Sequence, residues 1–419
     1  MADKDRGTAG GVSECLVIEG SGPARRARIC VPESAVTDLR RRLEAPRWPA
    51  EPSSNRDWSR GVGRAFLQKV AEQWRMFDWR AAEERLNRFP GFVAEVGSPG
   101  TPVYFTHERG SGAAPMPLIL THGWPSTHRE FLGVVDGLAH PERHGADPAD
   151  AFDVVVAALP GFGLSRSPAE PIGPAAMADL WHDLMTRVLG YRRIVAHGGD
   201  WGSLVTAQLA RRHAKSVAAI HLTMPGLTPN LHEPGQAPIR PDEIAYIDAV
   251  KKWRLQEGAY AEIQRTKPLT LSYGLSESPL GLAAWLLEKY HGWGDRAGPD
   301  PGADTISRYG WDALLETLSL YWFTNSIGTA NDLYRSSWLE RLGRMQPGER
   351  IEVPTAFTNF ASPRIADPPR SWVERVHPLH MWSEVPVGGH FAALTEPQVF
   401  IQEVRTAFRT IRTAGPSLS

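Results

Sequence analysis

The chain has 419 residues, a formal net charge of −1, 42% hydrophobic and 22% charged residues, so it can bury a large core. This balance excludes the basic footprint of a nucleic-acid binder, and no run reaches the roughly 20 apolar residues of a membrane span. Two cysteines, Cys15 and Cys30, make neither a disulfide framework nor a metal cluster, and Met1–Gly20 lacks a signal-peptide core, so a soluble cytoplasmic protein without metal or cofactor is expected.

In chain order, residues 1–25 read as a flexible, Gly-rich and charged tail. A short helix is expected over Val36–Leu43. Arg60–Asn87 reads as helical, with Phe66, Val70, Trp74 and Phe77 near helical spacing. Val93–Val96 and Val103–His107 form a hairpin pattern, and Leu118–Thr121, Val154–Leu159, Ile194–His197 and Ala218–Leu222 are apolar strand candidates. Strands alternating with helices predict an α/β protein with a mostly parallel central sheet. From Pro225 to about Pro347 the pattern is helical only, at Pro241–Arg254, Leu280–Tyr290 and Ala313–Tyr334: a helical cap inserted into the sheet domain. Val353–Asn359 and Met381–Val385 resume the strands, and Pro397–Arg409 closes with a helix. The division expected is a tail (1–25), an amino-terminal segment (26–90), a first core part (91–225), the cap (226–350) and a second core part (351–419).

The most informative stretch is Gly198-Gly199-Asp200-Trp201-Gly202. A strand (Arg193–His197), a sharp turn and a helical stretch (Ser203–Arg211) are the context of a nucleophile elbow. Asp200 stands where an acyl hydrolase carries Ser. A carboxylate attacks a saturated, activated carbon such as an epoxide, and leaves an alkyl ester that water must hydrolyse. Gly198 and Gly202 relieve crowding between strand and helix; the plainer reading of Asp200 is a cap for that helix.

Two further motifs fit this chemistry. Leu118–Thr121 runs into His122-Gly123-Trp124-Pro125. The backbone N–H of Trp124, with that of Trp201, forms a candidate oxyanion hole. Among 14 histidines, His390 follows Gly388-Gly389 just after the last strand candidate, where it can act as a general base. A neutral phenol suits protonation of an epoxide oxygen, and the cap offers Tyr246, Tyr260, Tyr273, Tyr290, Tyr309, Tyr321 and Tyr334. The residues alone do not choose among them.

With these motifs in place, the chain resembles the microsomal-type epoxide hydrolases of the α/β-hydrolase superfamily from about residue 26 onward. The likeness rests on Ile29–Glu33, Leu39–Trp48, Phe77–Arg80, Leu86–Pro90, His122–Pro125, Leu159–Ser165, Gly199–Gly202 and Gly388–Phe391. It implies an α/β-hydrolase fold with a helical cap and an amino-terminal meander segment. It also implies Asp200 as nucleophile, His390 as base and Tyr260 and Tyr334 as ring-oxygen donors, the last two because Glu257–Gln264 and Thr329–Tyr334 resemble the family's tyrosine-bearing segments. The membrane anchor of the mammalian members has no counterpart. One departure matters: the third triad member, a carboxylate, falls on Pro363 or Arg364. Asp367 is the candidate substitute and Glu374 lies further on; an Asp–His dyad held by a backbone carbonyl or Asn359 is the alternative.

The expected activity is opening of a small-molecule epoxide to a vicinal diol. Trp253, Trp285, Trp293, Trp311, Trp322 and Phe323 in the cap permit a bulky or aromatic substrate, though core packing explains them equally. Such an enzyme would serve bacterial natural-product or detoxification metabolism, and a homodimer is a permitted assembly. The missing acid keeps non-hydrolytic, ring-forming epoxide opening as a rival. A binding protein with a dead site and a haloalkane dehalogenase stand further off, because nucleophile, base and paired tyrosines are all present.

Overall fold

The computed structural model describes residues 11–231, 237–295, 298–341, 343–346, 349–362 and 366–413. The chain begins with β1 (Leu16–Glu19), β2 (Ala24–Ile29), α1 (Glu33–Glu44), α2 (Arg64–Met76) and α3 (Trp79–Asn87). Next come β3 (Gly91–Val96), β4 (Thr101–Glu108), β5 (Met116–Thr121), α4 (Arg129–Ala139), β6 (Phe152–Ala157), α5 (Pro174–Asp183), β7 (Ile194–Gly198), α6 (Trp201–Arg212) and β8 (Val217–Leu222). Among the described residues six helices then follow without a strand: α7 (Pro241–Glu257), α8 (Ala259–Thr266), α9 (Pro268–Glu277), α10 (Pro279–Gly292), α11 (Pro301–Thr324) and α12 (Ile327–Glu340). The chain ends with β9 (Thr355–Phe360), α13 (Arg370–Glu374), β10 (Leu379–Val385), α14 (Ala392–Thr395) and α15 (Pro397–Thr413).

All ten strands form one sheet in the order β1-β2-β3-β4-β6-β5-β7-β8-β9-β10. β1 to β4 form an antiparallel meander that joins β6 antiparallel, and β5 to β10 run parallel. The central strands β5, β6, β7 and β8 are buried along their whole length. That explains their continuous apolar runs, because helices cover both faces of a parallel sheet.

Residues 11–25, expected as part of a flexible tail, are a correction: they carry β1 and the start of β2. β1 pairs antiparallel with β2 from Leu16↔Ile29 to Glu19↔Arg26, and the buried Cys15 thiol donates to the Phe323 carbonyl at 3.4 Å. β1 is a short edge strand between glycines, and its order comes from a partner strand that local sequence cannot display. Residues 1–10 lie outside the described residues.

Helical spacing elsewhere reads true. α1 buries Val36, Leu39 and Leu43, and α2 buries Phe66, Val70 and Trp74, each set on one face. The stretch Arg60–Asn87 breaks in two because the Asp78 carboxylate accepts the Ala81 N–H at 3.1 Å and caps a new helix. Ala313–Tyr334 breaks likewise at Asn325, a left-handed residue at φ 50° that ends α11. The amino-terminal helices grip the helical insert through Arg85, which pairs with Glu316 at 2.8 Å, and through Trp74, whose indole donates to Ser319 at 2.9 Å; Arg129 of α4 meets the same Glu316 at 2.8 Å.

Candidate active site

The parallel strands converge on the turn after β7. Asp200 sits there at φ 49° and ψ −127°, a backbone conformation costly for any residue with a Cβ. A Cβ at Gly202 would collide with the Thr121 carbonyl, so only glycine lets α6 start this close to β5. Trp201 opens α6 directly after Asp200, where first-turn N–H groups have no partner within the helix.

The loop after β5 supplies the facing wall. The Trp124 backbone N–H donates to Asp200 Oδ1 at 2.9 Å. His122 holds that loop in place: its Nε2 accepts the Leu159 N–H at 3.1 Å and its Nδ1 lies 3.0 Å from the Gly123 carbonyl. Burial pushes this imidazole down to about 4, which keeps it neutral and structural.

On the other side, His390 Nε2 lies 3.5 Å from Asp200 Oδ2. The His390 loop is held by the helical insert. Its N–H donates to the Trp293 carbonyl at 3.0 Å, and its ring packs against the Trp293 indole at 4.8 Å. The Gly388 N–H donates at 3.0 Å to Asp295, a buried carboxylate paired with Arg308 at 2.8 Å. Gly389 has φ 58°, and a Cβ there would come within 2.7 Å of the Asp295 nitrogen. The Gly-Gly step before His390 is therefore the way this loop passes under the insert.

Tyr260 on α8 and Tyr334 on α12 meet above Asp200. Their rings are 5.9 Å apart, edge to face. The Trp124 indole stacks on Tyr260 at 5.2 Å and Trp201 meets Tyr334 at 4.7 Å. The two phenols hydrogen-bond one another. Burial, and then the Asp200 charge, push Tyr260 well above its ordinary value; burial, Tyr260 and Asp200 do the same to Tyr334. Both stay neutral donors across the physiological range.

A cavity of about 230 Å³ opens at this point, lined by Asp200, Tyr260, Trp253, Trp293, Phe360 and His390 among others. Of the six cap aromatics marked from sequence, Trp253 and Trp293 line it. Trp285 bonds Gln264, Trp311 stacks near Phe66, Trp322 lies under Arg42 and Phe323 packs on Trp79. Asp367 also lines the cavity, but the hydrogen-bond partner of its carboxylate is Asn359, and burial raises it above the usual carboxylate range. Glu374 pairs with Arg370 at 2.7 Å on an exposed helix. Pro363 and Arg364 lie outside the described residues.

The structure thus brings Asp200, His390, Tyr260, Tyr334 and the Trp124 amide to one point. Asp295 and its partner Arg308 were not singled out from sequence, because a Trp-Gly-Asp stretch between two helices has the look of any polar connection. Glu130, a buried residue in the first turn of α4, was not singled out either, because an acidic residue in a helix's first turn is commonplace.

An Asp on a strained strand-to-helix turn of a parallel sheet, an amide from the loop after the neighbouring strand and a His after the last strand have the arrangement of an α/β-hydrolase. The alpha/beta hydrolase fold model matches residues 116–254, and the epoxide hydrolase N terminus model matches residues 24–131. A protein of Stigmatella aurantiaca (strain DW4/3-1), provisionally named an epoxide hydrolase, is 39% identical over 92% of this chain and 84% of its own. Epoxide hydrolase 1 of Sus scrofa is 30% identical over 92% of this chain and 90% of its own. The crystal structure of juvenile hormone epoxide hydrolase from the silkworm Bombyx mori superposes with a TM-score of 0.78 at 27% identity, covering 94% of this chain and 95% of that one. The chain belongs to the microsomal-type epoxide hydrolase family, enzymes that open epoxides with water. Among the described residues no helix is long and apolar enough to cross a membrane.

Proposed function

We propose that the chain hydrolyses a small apolar epoxide to a vicinal diol through an ester on Asp200. Asp200 Oδ2 attacks a ring carbon from the rear and the C–O bond on that carbon breaks. The departing oxygen takes a proton from the Tyr260–Tyr334 pair. His390 then removes a proton from water, whose oxygen bonds to the ester carbonyl carbon. The Trp124 and Trp201 amides hold the resulting oxyanion. Collapse breaks the acyl–oxygen bond. The departing alkoxide, which carries the former Oδ2, takes the proton of the new carboxyl group to complete the diol and restore the Asp200 carboxylate. The proton on His390 returns through solvent to the tyrosine pair.

The observation that carries this reading is the split use of one carboxylate: Oδ1 is held by the Trp124 N–H at 2.9 Å, while Oδ2 is left toward His390 at 3.5 Å. A cavity of about 230 Å³ between Trp253, Trp293 and Phe360 favours an aryl or branched alkyl substituent. In this reading residues 226–350 act as a cap, and Cys15 and Cys30, both free thiols, suit a cytoplasmic setting. The test is a single turnover in heavy-oxygen water followed by peptide mass spectrometry. Label in the Asp200 peptide is expected; an active enzyme with no label there would rule out the covalent route.

Non-hydrolytic ring opening by a substrate's own hydroxyl is the second reading, favoured by Pro363 and Arg364 at the position of the family acid. Recovery of a diol with one added water from a hydroxy-epoxide excludes it.

A further inference from the structure

Glu130 is the second residue of α4, and only 8% of its surface is exposed. α4 begins just after the loop whose Trp124 amide holds Asp200, and it packs against α14, which starts two residues after His390. The surrounding wall is polar, and no Lys or Arg among the described residues weighs on its charge. Ser126 is its hydrogen-bond partner, and Tyr321 donates to the Ser126 carbonyl at 2.8 Å. Tyr290 stacks on Phe391 at 4.5 Å, with its phenol in the field of Glu130. The neighbouring Arg129 is committed to Glu316 at 2.8 Å. A buried carboxylate without a cation is costly. Such groups concentrate where a charge is needed for chemistry.

We infer that Glu130 is the positioning acid of this site: its negative charge stabilises the imidazolium that forms on His390 when water attacks the Asp200 ester. It thereby takes the part that the family assigns to a carboxylate after β9, where this chain has Pro363 or Arg364. Burial pushes Glu130 up to about 7. Ser126 and then the charge on His390 draw it back, and Asp200 pushes it further up, so both reacting groups lie within its electrostatic reach. The other titratable groups facing it are Tyr290 and Tyr321, held neutral by burial. When Asp200 becomes an ester its charge disappears, and Glu130 keeps a negative charge within electrostatic reach of the imidazole. The assistance is thus greatest in the hydrolytic step and small in the alkylation step, which moves no proton to His390.

The inference rests on the covalent reading above, and the test separates the two. Styrene oxide is mixed with wild type and Glu130→Gln, quenched on the millisecond scale and read by intact-protein mass spectrometry. In Glu130→Gln, ester formation should stay within about threefold of wild type. Ester hydrolysis should slow by about 10- to 1,000-fold, short of the ~10⁴ cost of neutralising a directly bonded triad acid. Ester should therefore accumulate, and Glu130→Asp should restore part of the rate. The hydrolysis rate of wild type should fall as pH drops through a limb below about 7, because the ester no longer carries the Asp200 charge that raises Glu130, and that limb should move in the Gln variant. A folded Glu130→Gln that hydrolyses its ester at the wild-type rate overturns the inference. So does equal slowing of both steps with an unchanged pH profile, which would mean a structural role. Failure of wild type to form any ester overturns the covalent reading itself.

Discussion

Tyr260→Phe removes one oxygen and leaves the ring that stacks on Trp124 at 5.2 Å. Packing should therefore persist, and the loss should be confined to the donor. Removing one donor aimed at a developing oxyanion costs about 10²–10³ in rate, some 2.7–4 kcal/mol. Here the cost should be smaller. Tyr334 bonds the Tyr260 phenol and is held neutral by the same burial and the same Asp200 charge, so it can still donate. We expect a fall of about 10- to 100-fold in the alkylation rate, or about 1.4–2.7 kcal/mol. The ester hydrolysis rate should not change, because the ring oxygen has already been protonated. Rapid-quench mass spectrometry with styrene oxide reads both steps, and the variant should show less ester at early times. Build-up of ester in Tyr260→Phe, or alkylation at the wild-type rate, would refute the assignment of Tyr260 to the ring oxygen.

His390→Gln should give the opposite pattern: alkylation near the wild-type rate, and an ester that persists for minutes or longer in the same assay, since loss of a general base alone typically costs about 10²–10⁴-fold. Asp367→Asn should leave ester hydrolysis within about threefold, under ~1 kcal/mol, because its partner is Asn359; single-turnover kinetics check this. Asp295→Ala strips the Gly388 N–H of its acceptor and leaves Arg308 buried, so chemical denaturation should show a loss of about 3–5 kcal/mol together with slower ester hydrolysis. Glu130→Gln should change stability in a pH-dependent way. The folded protein keeps the Glu130 proton up to about 7, whereas the unfolded chain releases it near 4.5, so the wild type loses stability as pH rises between them. The variant should match wild type near pH 4 and exceed it by about 3 kcal/mol at pH 8, at 1.36 kcal/mol per pKa unit; urea unfolding at the two pH values reads the difference.

Much of the core was legible because its signals are local. β5 to β8 are uninterrupted apolar runs, and α1 and α2 repeat their buried residues every three or four positions. The elbow and the Gly-Gly-His loop were legible because close backbone approach demands glycine there, and glycine can be seen in a sequence. β1 was not legible because its order comes from pairing with β2, a relation between segments. The reduction of six cap aromatics to two at the cavity was not legible either, since a Trp facing Gln264 and a Trp facing the cavity have the same helical setting. Glu130 escaped notice for a deeper reason. What sets it apart is burial in a helix, α4, that packs against α14 across more than 250 residues of chain.

The proposed base, His390, belongs to the helical insert as much as to the sheet. His390 and Gly388 hang by hydrogen bonds on Trp293 and Asp295, residues that follow α10, while the Ser362 hydroxyl at the other side donates to the Gly294 carbonyl at 3.2 Å. Asp200, by contrast, is held from the sheet by its own strained turn and the Trp124 amide. Asp200 and His390 are thus carried by different layers, and their 3.5 Å separation measures how the insert is seated on the sheet. On the proposed route, alkylation needs Asp200 and the tyrosines, and hydrolysis adds His390. A disturbance that lifts the Trp293–Asp295 turn should therefore slow hydrolysis before it slows alkylation. That ordering is what the Asp295→Ala variant tests: its ester should build up as in His390→Gln, and equal slowing of both steps would show that the turn does no more than hold the fold together.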